Sequence, residues 1–304
     1  MDNITHTLVG AALAEAGLKK RTALGAATLM IGANFPDIDV AGLLFPDSIN
    51  IRRGITHGFP ALVVLPFVLA GLMWLYDRHV RRRRNPGLPS ANFRELSVLS
   101  ALSIWTHPTL DFMNVYGMRW LMPMVNKWFY ADALFIVDLW ILLALGLGVT
   151  LARRRRAVRP ARVALVALAT YVVAMLWVTG RGRAEVSRNR GLSVSGFMVG
   201  PTALRPWERQ VVVPGLANGE AIWVFGRYRL GGGVAWTDSL VVGLSHPAAE
   251  AARGSPEAQG FLNWSRFPFY RVEQGPEGTL VRIADARYSG EGGRGWASVT
   301  VRLP

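Results

Sequence analysis

The chain contains no cysteine, and this absence limits the chemistry that the protein can perform. Neither a disulfide bond nor a thiolate metal site can form, so a bound metal ion would need nitrogen or oxygen ligands. A basic segment before the first apolar stretch is also missing, because Asp2 is the only charged side chain ahead of Glu15. We therefore expect no standard cleaved signal peptide.

Acidic residues are scarce as well, with 20 Asp and Glu against 34 Lys and Arg and a net charge of +14. In a soluble protein this excess would suggest a nucleic-acid partner. Here two acid-free runs, residues 78–94 and 153–162, hold six arginines each and lie between apolar segments. Because aromatic residues do not alternate with these arginines, we interpret the runs as a membrane topology signal and expect no nucleic-acid partner.

Hydrophobic residues make up 51% of the chain and charged residues only 18%, a composition typical of membrane proteins. At about 1.5 Å per residue, each apolar segment is long enough, or nearly so, to cross a lipid bilayer. We predict a mainly α-helical membrane protein whose residues 1–180 form a five- to six-helix transmembrane bundle. The predicted segments are residues 4–18, 22–45, 60–77, 96–115, 134–152 and 163–179.

The arginine runs also predict a multi-pass orientation in the cell (inner) membrane. Positively charged loops remain in the cytoplasm, so both runs are expected on that side. Residues 46–59 and 116–133 would then lie outside, and the last span would export everything after residue 180.

Residues 181–304 have a different composition, in which short apolar runs are separated by Gly- and Pro-containing turns. We predict a small extracytoplasmic β-rich domain with a short helix over residues 247–262. No catalytic constellation is visible there, and a role as a lid or as a partner-binding module stays open. The predicted strands are residues 209–213, 221–229, 239–244, 267–272, 279–283 and 296–302.

Two aspartates, Asp37 and Asp39, interrupt a long apolar stretch. An aspartate at the centre of a bilayer costs about 2.5–3.5 kcal/mol, so two of them need a cation, a basic partner or a wet cavity. Pro36 disfavours a helix at Phe35, and the backbone can therefore break there and present both carboxylates to a pocket.

Further ionisable residues are expected near these carboxylates. His107 and Asp111 are four residues apart and would share a helix face, although Pro108 disfavours a helix at His107. In the predicted topology they approach the outer face, as do His6 and His57. Histidine and aspartate together form a ligand set that suits zinc, manganese or iron, so we predict one divalent metal site.

Four short motifs carry a family resemblance when they occur in this order between apolar segments. They are Thr5-His6-x-x-x-Gly10, Pro36-Asp37-x-Asp39, Arg53-Gly54-x-Thr56-His57 and His107-x-x-x-Asp111. Together they resemble the membrane-bound metal-dependent hydrolases of the YdjM type, most closely over residues 1–140. The resemblance implies ligands or catalytic groups at His6, Asp37, Asp39, His57, His107 and Asp111, with Asp132 and Asp138 as further candidates.

We therefore predict an integral membrane metal-dependent hydrolase that acts on a phosphoester or lipid-type substrate at the outer face. Zinc is the expected ion, because the family is distantly similar to zinc-dependent phospholipase C, and manganese is the alternative. Asp37 and Asp132 are candidate general bases, although Asp132 could simply be a helix N-cap. Arg53 is the candidate for holding an anionic group of the substrate, because a guanidinium binds such oxygens bidentately.

Two other function classes stay open. The same His/Asp cluster could belong to a non-catalytic metal-binding membrane scaffold, or to an ion or proton transporter that uses the cluster as a relay. The bilayer and a small-molecule or lipid substrate are the expected partners, and the oligomeric state is not predicted.

Overall fold

The structure is a computed structural model that describes residues 1–44, 52–191, 196–275, 278–289 and 292–303. Residues 45–51, which belong to the predicted outer loop 46–59, lie outside the described residues. The chain divides into two compact units, and the first of them comprises Met1–Ala41, Arg53–Thr179 and Gly200–Pro206.

Nine α-helices lie within the described residues. A π-helical turn at Asp77–Arg81 joins the third helix to the fourth, and 3-10 helices form at Leu18–Lys20, Phe35–Leu44 and Ile55–His57. The α-helices are α1 (Asn3–Glu15), α2 (Gly25–Gly32), α3 (Phe59–Tyr76), α4 (Arg82–Arg84), α5 (Phe93–Phe112), α6 (Leu139–Arg155), α7 (Arg159–Arg190), α8 (Pro247–Arg253) and α9 (Pro256–Trp264).

Helices α1 and α2 are short and pack closely against each other. Asp2 caps α1, because its carboxylate accepts hydrogen bonds from the backbone amides of Ile4 and Thr5. A Cβ added at Gly10 would lie 2.4 Å from the carbonyl oxygen of Leu29, so only glycine permits this approach. The close packing fixes the start of α1 next to the end of α2.

The chain leaves α-helical geometry at the expected place. α2 ends at Gly32, and Phe35–Leu44 continues as a 3-10 helix that contains Pro36. Proline lacks an N–H and disfavours a helix at the preceding residue, which explains why the apolar segment 22–45 forms two short elements instead of one long helix.

The predicted five- to six-helix transmembrane bundle is wrong. Among the described residues, only the helical runs Phe59–Arg84 and Arg159–Arg190 are long and apolar enough to cross a bilayer. Helices α1 and α2 have 13 and 8 residues. At 1.5 Å per residue they extend about 20 and 12 Å, short of the roughly 30 Å hydrocarbon core. α6 has 17 residues, and α5 contains serines, His107 and Asp111, which lower its hydropathy.

The apolar residues of the shorter helices are instead buried against other helices. Ala14 of α1, Leu29 of α2 and Leu99 of α5 form one buried cluster. Leu62 and Leu69 of α3 pack in a second cluster with Leu96 and Ile104 of α5. The hydrophobicity of these segments therefore reflects a protein core in which helices pack on helices.

Two antiparallel sheets follow α7, with α8 and α9 between them in the chain. The first is four-stranded, with order β1-β2-β3-β4, and the second is three-stranded, with order β5-β6-β7. The predicted strands all overlap observed ones, while β1 had no counterpart among them. The strands are β1 (Met198–Pro201), β2 (Glu208–Ala217), β3 (Glu220–Arg229), β4 (Gly233–Val241), β5 (Pro268–Gly275), β6 (Gly278–Asp285) and β7 (Ser298–Leu303).

Candidate metal centre

Four segments that are distant in the sequence bring the six predicted ligand side chains together. The segments are the start of α1, the 3-10 helix after α2, the 3-10 helix before α3 and the C-terminal end of α5. None of the six residues is more than 9% exposed. In that order they are His6, then Asp37 and Asp39, then His57, and finally His107 and Asp111.

His107 lies at the middle of this cluster, and a backbone contact determines which of its nitrogens carries the proton. Nδ1 is 2.7 Å from the carbonyl oxygen of Ala33, which can only accept a hydrogen bond, so the proton is on Nδ1. The neutral ring then presents the Nε2 lone pair to the site. This nitrogen is 3.6 Å from Asp37 Oδ1 and 3.6 Å from Asp111 Oδ2.

His57 also lies next to His107. The two Nε2 atoms are 3.2 Å apart. His57 Nδ1 is 3.4 Å from Asp39 Oδ2 and 2.9 Å from the hydroxyl oxygen of Thr56. A carboxylate beside Nδ1 favours a proton there, which turns the lone pair of His57 Nε2 toward the lone pair of His107 Nε2.

His6 completes the cluster. Its ring stacks on His107 with the centroids 3.9 Å apart, and its Nε2 is 3.2 Å from Asp111 Oδ1. The α-ammonium of Met1 also contacts Asp111 Oδ1. Burial lowers the pKa of His6 well below its usual value, and burial also lowers the pKa of His107 although Asp37 opposes the shift. Both rings are therefore held in the neutral form that binds metals.

The ligand atoms form two overlapping groups that could each hold a metal ion. One group contains His6, His107 and Asp111, and the other contains Asp37, His57 and His107, with ligand atoms within 4.8 Å of one another. The donor set fits a borderline or hard divalent ion, because it consists of imidazole nitrogens and carboxylate oxygens only. His107 belongs to both groups and is the residue on which the site depends most.

Asp39 belongs to neither group, and its contacts indicate a supporting role. Its Oδ2 accepts a 2.7 Å hydrogen bond from the backbone amide of Arg53 and lies beside His57 Nδ1. Carboxylates in this position behind a histidine orient the ring and keep its other nitrogen available for a ligand.

Arg53 contacts protein acceptors on several sides. Its Nη2 is 3.0 Å from Asp111 Oδ2, and its Nη1 donates to Asn114 Oδ1 at 3.2 Å and to the Gly117 carbonyl at 2.8 Å. The guanidinium also stacks over the ring of Tyr116, 4.6 Å from its centroid. The side chain is therefore engaged in holding Asp111 and the following loop.

Asp132 is buried but is not part of either ligand group. Its backbone carbonyl accepts a hydrogen bond from Thr179 at 3.1 Å. The N-cap of α6 is Asp138, whose carboxylate accepts hydrogen bonds from the amides of Trp140 and Ile141. The interpretation of Asp132 as that helix cap is therefore wrong, and Asp138 has the structural role.

Sequence reasoning missed several residues of this region. Ala33 acts through a backbone carbonyl, which has no side-chain signal. Asn114 follows Asp111 by three residues and could have been noticed as a polar residue next to the last motif. Arg119 is 1% exposed and lies over the ring of Trp128, with 4.7 Å to the centroid, and no sequence motif marks it.

Comparison with known proteins assigns the family. No curated protein and no solved structure matches the chain. A family model described as YdjM inner membrane protein matches residues 1–182, which contain every residue of the candidate metal centre and both candidate spans up to residue 182. The match confirms the resemblance of the four motifs to the YdjM family. The chain belongs to the YdjM inner membrane protein family.

Proposed function

We propose that the protein is a membrane-bound, metal-dependent hydrolase that cleaves a phosphoester or lipid-type substrate. The observation that supports this most is the pair of facing nitrogens, His57 Nε2 and His107 Nε2, 3.2 Å apart beside the carboxylates of Asp37 and Asp111. Two nitrogen lone pairs that face each other repel unless a cation lies between them. Zinc suits this ligand set best, with manganese as the alternative.

This proposal gives each side chain of the metal centre a role. His6, His57, His107, Asp37 and Asp111 would hold the metal. A bound divalent ion lowers the pKa of its water toward neutrality and polarises the bond to be cleaved. The supporting residues are Asp39, which orients His57, and Arg53, which positions Asp111 and so differs from the anion-binding role expected for it.

A general base must accept a proton from the attacking water. Asp37 is the first candidate, because it is the most exposed of the proposed ligands at 9% and its Oδ1 lies 3.8 Å from His57 Nε2. Asp132, which is 0% exposed, is the second candidate. Asp132→Asn separates them, because Asp132 is not a proposed ligand. Lost turnover with metal content unchanged would make Asp132 the base, and normal turnover would leave Asp37.

We further propose that two helical runs cross the inner membrane. The run Phe59–Arg84 begins beside His57 and ends in arginines, and the run Arg159–Arg190 begins in arginines. Positively charged ends remain in the cytoplasm. α5 runs back along α3, with Trp105 Nε1 donating to the Leu62 carbonyl at 3.2 Å, and so returns His107 and Asp111 to the level of His57. The metal centre would then face the outer side of the inner membrane, and the residues that follow α7 would be extracytoplasmic.

A structural metal site in a non-catalytic scaffold is the second candidate function. It is favoured by burial, because His6, His57 and His107 are 0% exposed and closed sites are typical of structural metals. A proton or ion relay has less support, since Glu15, the buried acid at the other end of α1, is paired with Lys19 and Arg153.

Hydrolysis of generic substrates tests the proposal. The full chain, purified in detergent without chelators and supplied with zinc or manganese, should cleave a phosphodiester, a phosphomonoester or a phospholipid. Turnover should disappear in His107→Ala, because His107 belongs to both ligand groups. It should persist in His79→Ala, whose exposed ring lies in the π-helical turn.

Two results would overturn the hydrolase proposal. One is the lack of turnover with all three substrate classes in metal-loaded protein, which would favour the scaffold. The other is equal turnover in wild type and His107→Ala, which would show that the hydrolysis arises elsewhere.

A further inference from the structure

Helices α6 and α7 form a hairpin whose turn lies near the C-terminal end of α1. The turn between them is short, with Arg156 in the left-handed region at φ 50° and the amide of Ala157 bonded to the carbonyl of Ala152 at 3.1 Å. The helices touch at Gly148, where an added Cβ would lie 2.3 Å from the Cβ of Ala164.

An apolar groove of about 530 Å³ runs along this hairpin. Its volume lies within the range of roughly 300–1,000 Å³ that is usual for small-molecule sites. Small and branched apolar side chains form its walls, and two arginines, one from each helix, stand at its mouth. The apolar walls include Ala144, Leu147, Val163 and Ala167, and the arginines are Arg155 and Arg159.

The arginines of this region fall into two kinds. Arg153 is paired with Glu15 at 3.1 Å, and Arg162 donates to the carbonyl of Ala16 at 3.0 Å, so both fasten the hairpin to α1. Arg155 and Arg159 are exposed, and neither forms an ion pair with any residue that the structure describes. Two uncompensated positive charges therefore lie at one end of an apolar groove.

We propose that this groove binds an anionic phospholipid. An acyl chain would lie against the apolar walls, and the phosphate would accept hydrogen bonds from Arg155 and Arg159. Basic pockets beside membrane helices on the cytoplasmic side recognise anionic head groups in this way. The site is separate from the metal centre, because Arg153 contacts the C-terminal end of α1 while His6 lies in its first turn. Binding there requires no hydrolysis.

Lipid titration of the full chain in detergent, followed by native mass spectrometry, tests the proposal. Dioleoyl phosphatidylglycerol should bind more tightly than dioleoyl phosphatidylcholine. The double variant Arg155→Gln/Arg159→Gln should lose about thirtyfold in phosphatidylglycerol affinity, the effect expected for two head-group contacts. Arg155→Lys/Arg159→Lys should retain most of the affinity, because the charges remain, and this variant also controls for folding.

Two further variants test where the lipid lies. Arg82→Gln/Arg83→Gln removes two exposed arginines from α4, which do not line the groove, and should leave the affinity almost unchanged. Ala167→Phe fills the groove and should weaken phosphatidylglycerol binding with the charges intact. Equal affinity for the two lipids, an equal loss in the α4 variant, or no effect of Ala167→Phe would each overturn the proposal.

Discussion

Two buried charged clusters in this chain differ in how their polar atoms are satisfied. In the three-stranded sheet region, the Asp285 carboxylate accepts hydrogen bonds from Arg287 Nε and Nη2 and from the backbone amides of Arg266 and Arg287. In the metal centre, imidazole lone pairs and carboxylates face one another. The first cluster is completed by protein donors, while the second could hold a metal ion.

The largest expected effect is a loss of stability when the carboxylate of Asp285 is removed. Asp285→Ala leaves the guanidinium of Arg287, which is 8% exposed, buried without its carboxylate. We expect a loss of about 3–5 kcal/mol in the free energy of unfolding. Chemical denaturation followed by tryptophan fluorescence measures this loss, since the Trp264 ring centroid lies 5.0 Å from Cζ of Arg287.

The matched control is Glu273→Gln, which breaks the half-exposed ion pair with Arg282 at 2.9 Å. An exposed pair of this kind contributes about 0–1 kcal/mol. If Asp285→Ala and Glu273→Gln lower the free energy of unfolding by the same amount, the buried Asp285–Arg287 pair stabilises the protein no more than a surface pair does.

A smaller effect is expected from a residue that supports the metal centre. Arg53→Gln removes the contact to Asp111 and should reduce metal affinity by about 10–100-fold, as for other residues that orient ligands. Competition with a chromophoric chelator measures the affinity. Arg94→Gln, at an exposed position of α5, is the control and should bind metal normally, and unchanged affinity in Arg53→Gln would remove Arg53 from the centre.

The smallest expected effect is a pH dependence of stability that arises from Asp285. Burial raises the pKa of Asp285, but the charge of Arg287 and the hydrogen bonds from Arg287 and Ser265 together outweigh it and hold the pKa below its usual value. A lowered carboxyl pKa in the folded state contributes stability above the unfolded pKa, and this contribution is lost as the pH falls through the folded pKa. Stability should fall from pH 4 to pH 3, by no more than about 1.4 kcal/mol, the limit for one proton over one pH unit.

Asp285→Asn tests the origin of that slope. The variant cannot ionise at this position, so its free energy of unfolding should lack the acid-dependent component that Asp285 contributes. An identical slope in wild type and variant between pH 4 and pH 3 would assign the acid sensitivity to other carboxyl groups.

The sequence was informative where local chemistry determines structure. The predicted span 60–77 corresponds closely to α3, since a long apolar run without charges leaves few alternatives. Pro36 marks the change from α2 to a 3-10 helix, as expected from its missing N–H. The motif residues were identifiable because ionisable side chains in apolar segments are costly without a function.

Other features depend on tertiary packing and could not be predicted. An apolar segment avoids water, but its composition does not show whether lipid or protein covers it, which is why α1 and α2 were mistaken for spans. The stacking of His6 on His107 joins residues about a hundred positions apart. The helix predicted over 247–262 is divided into α8 and α9 near Gly254, and the contacts of Arg53 involve a backbone carbonyl.

The metal content of the purified chain tests the central claim most directly. Elemental mass spectrometry on detergent-purified protein, prepared without chelators, would compare wild type with His107→Ala and with the control His79→Ala. We predict at least one equivalent of zinc or manganese in wild type and in the control, and its loss in His107→Ala. Wild-type protein that holds no metal after zinc and manganese are supplied, or His107→Ala that binds as much as wild type, would contradict the account.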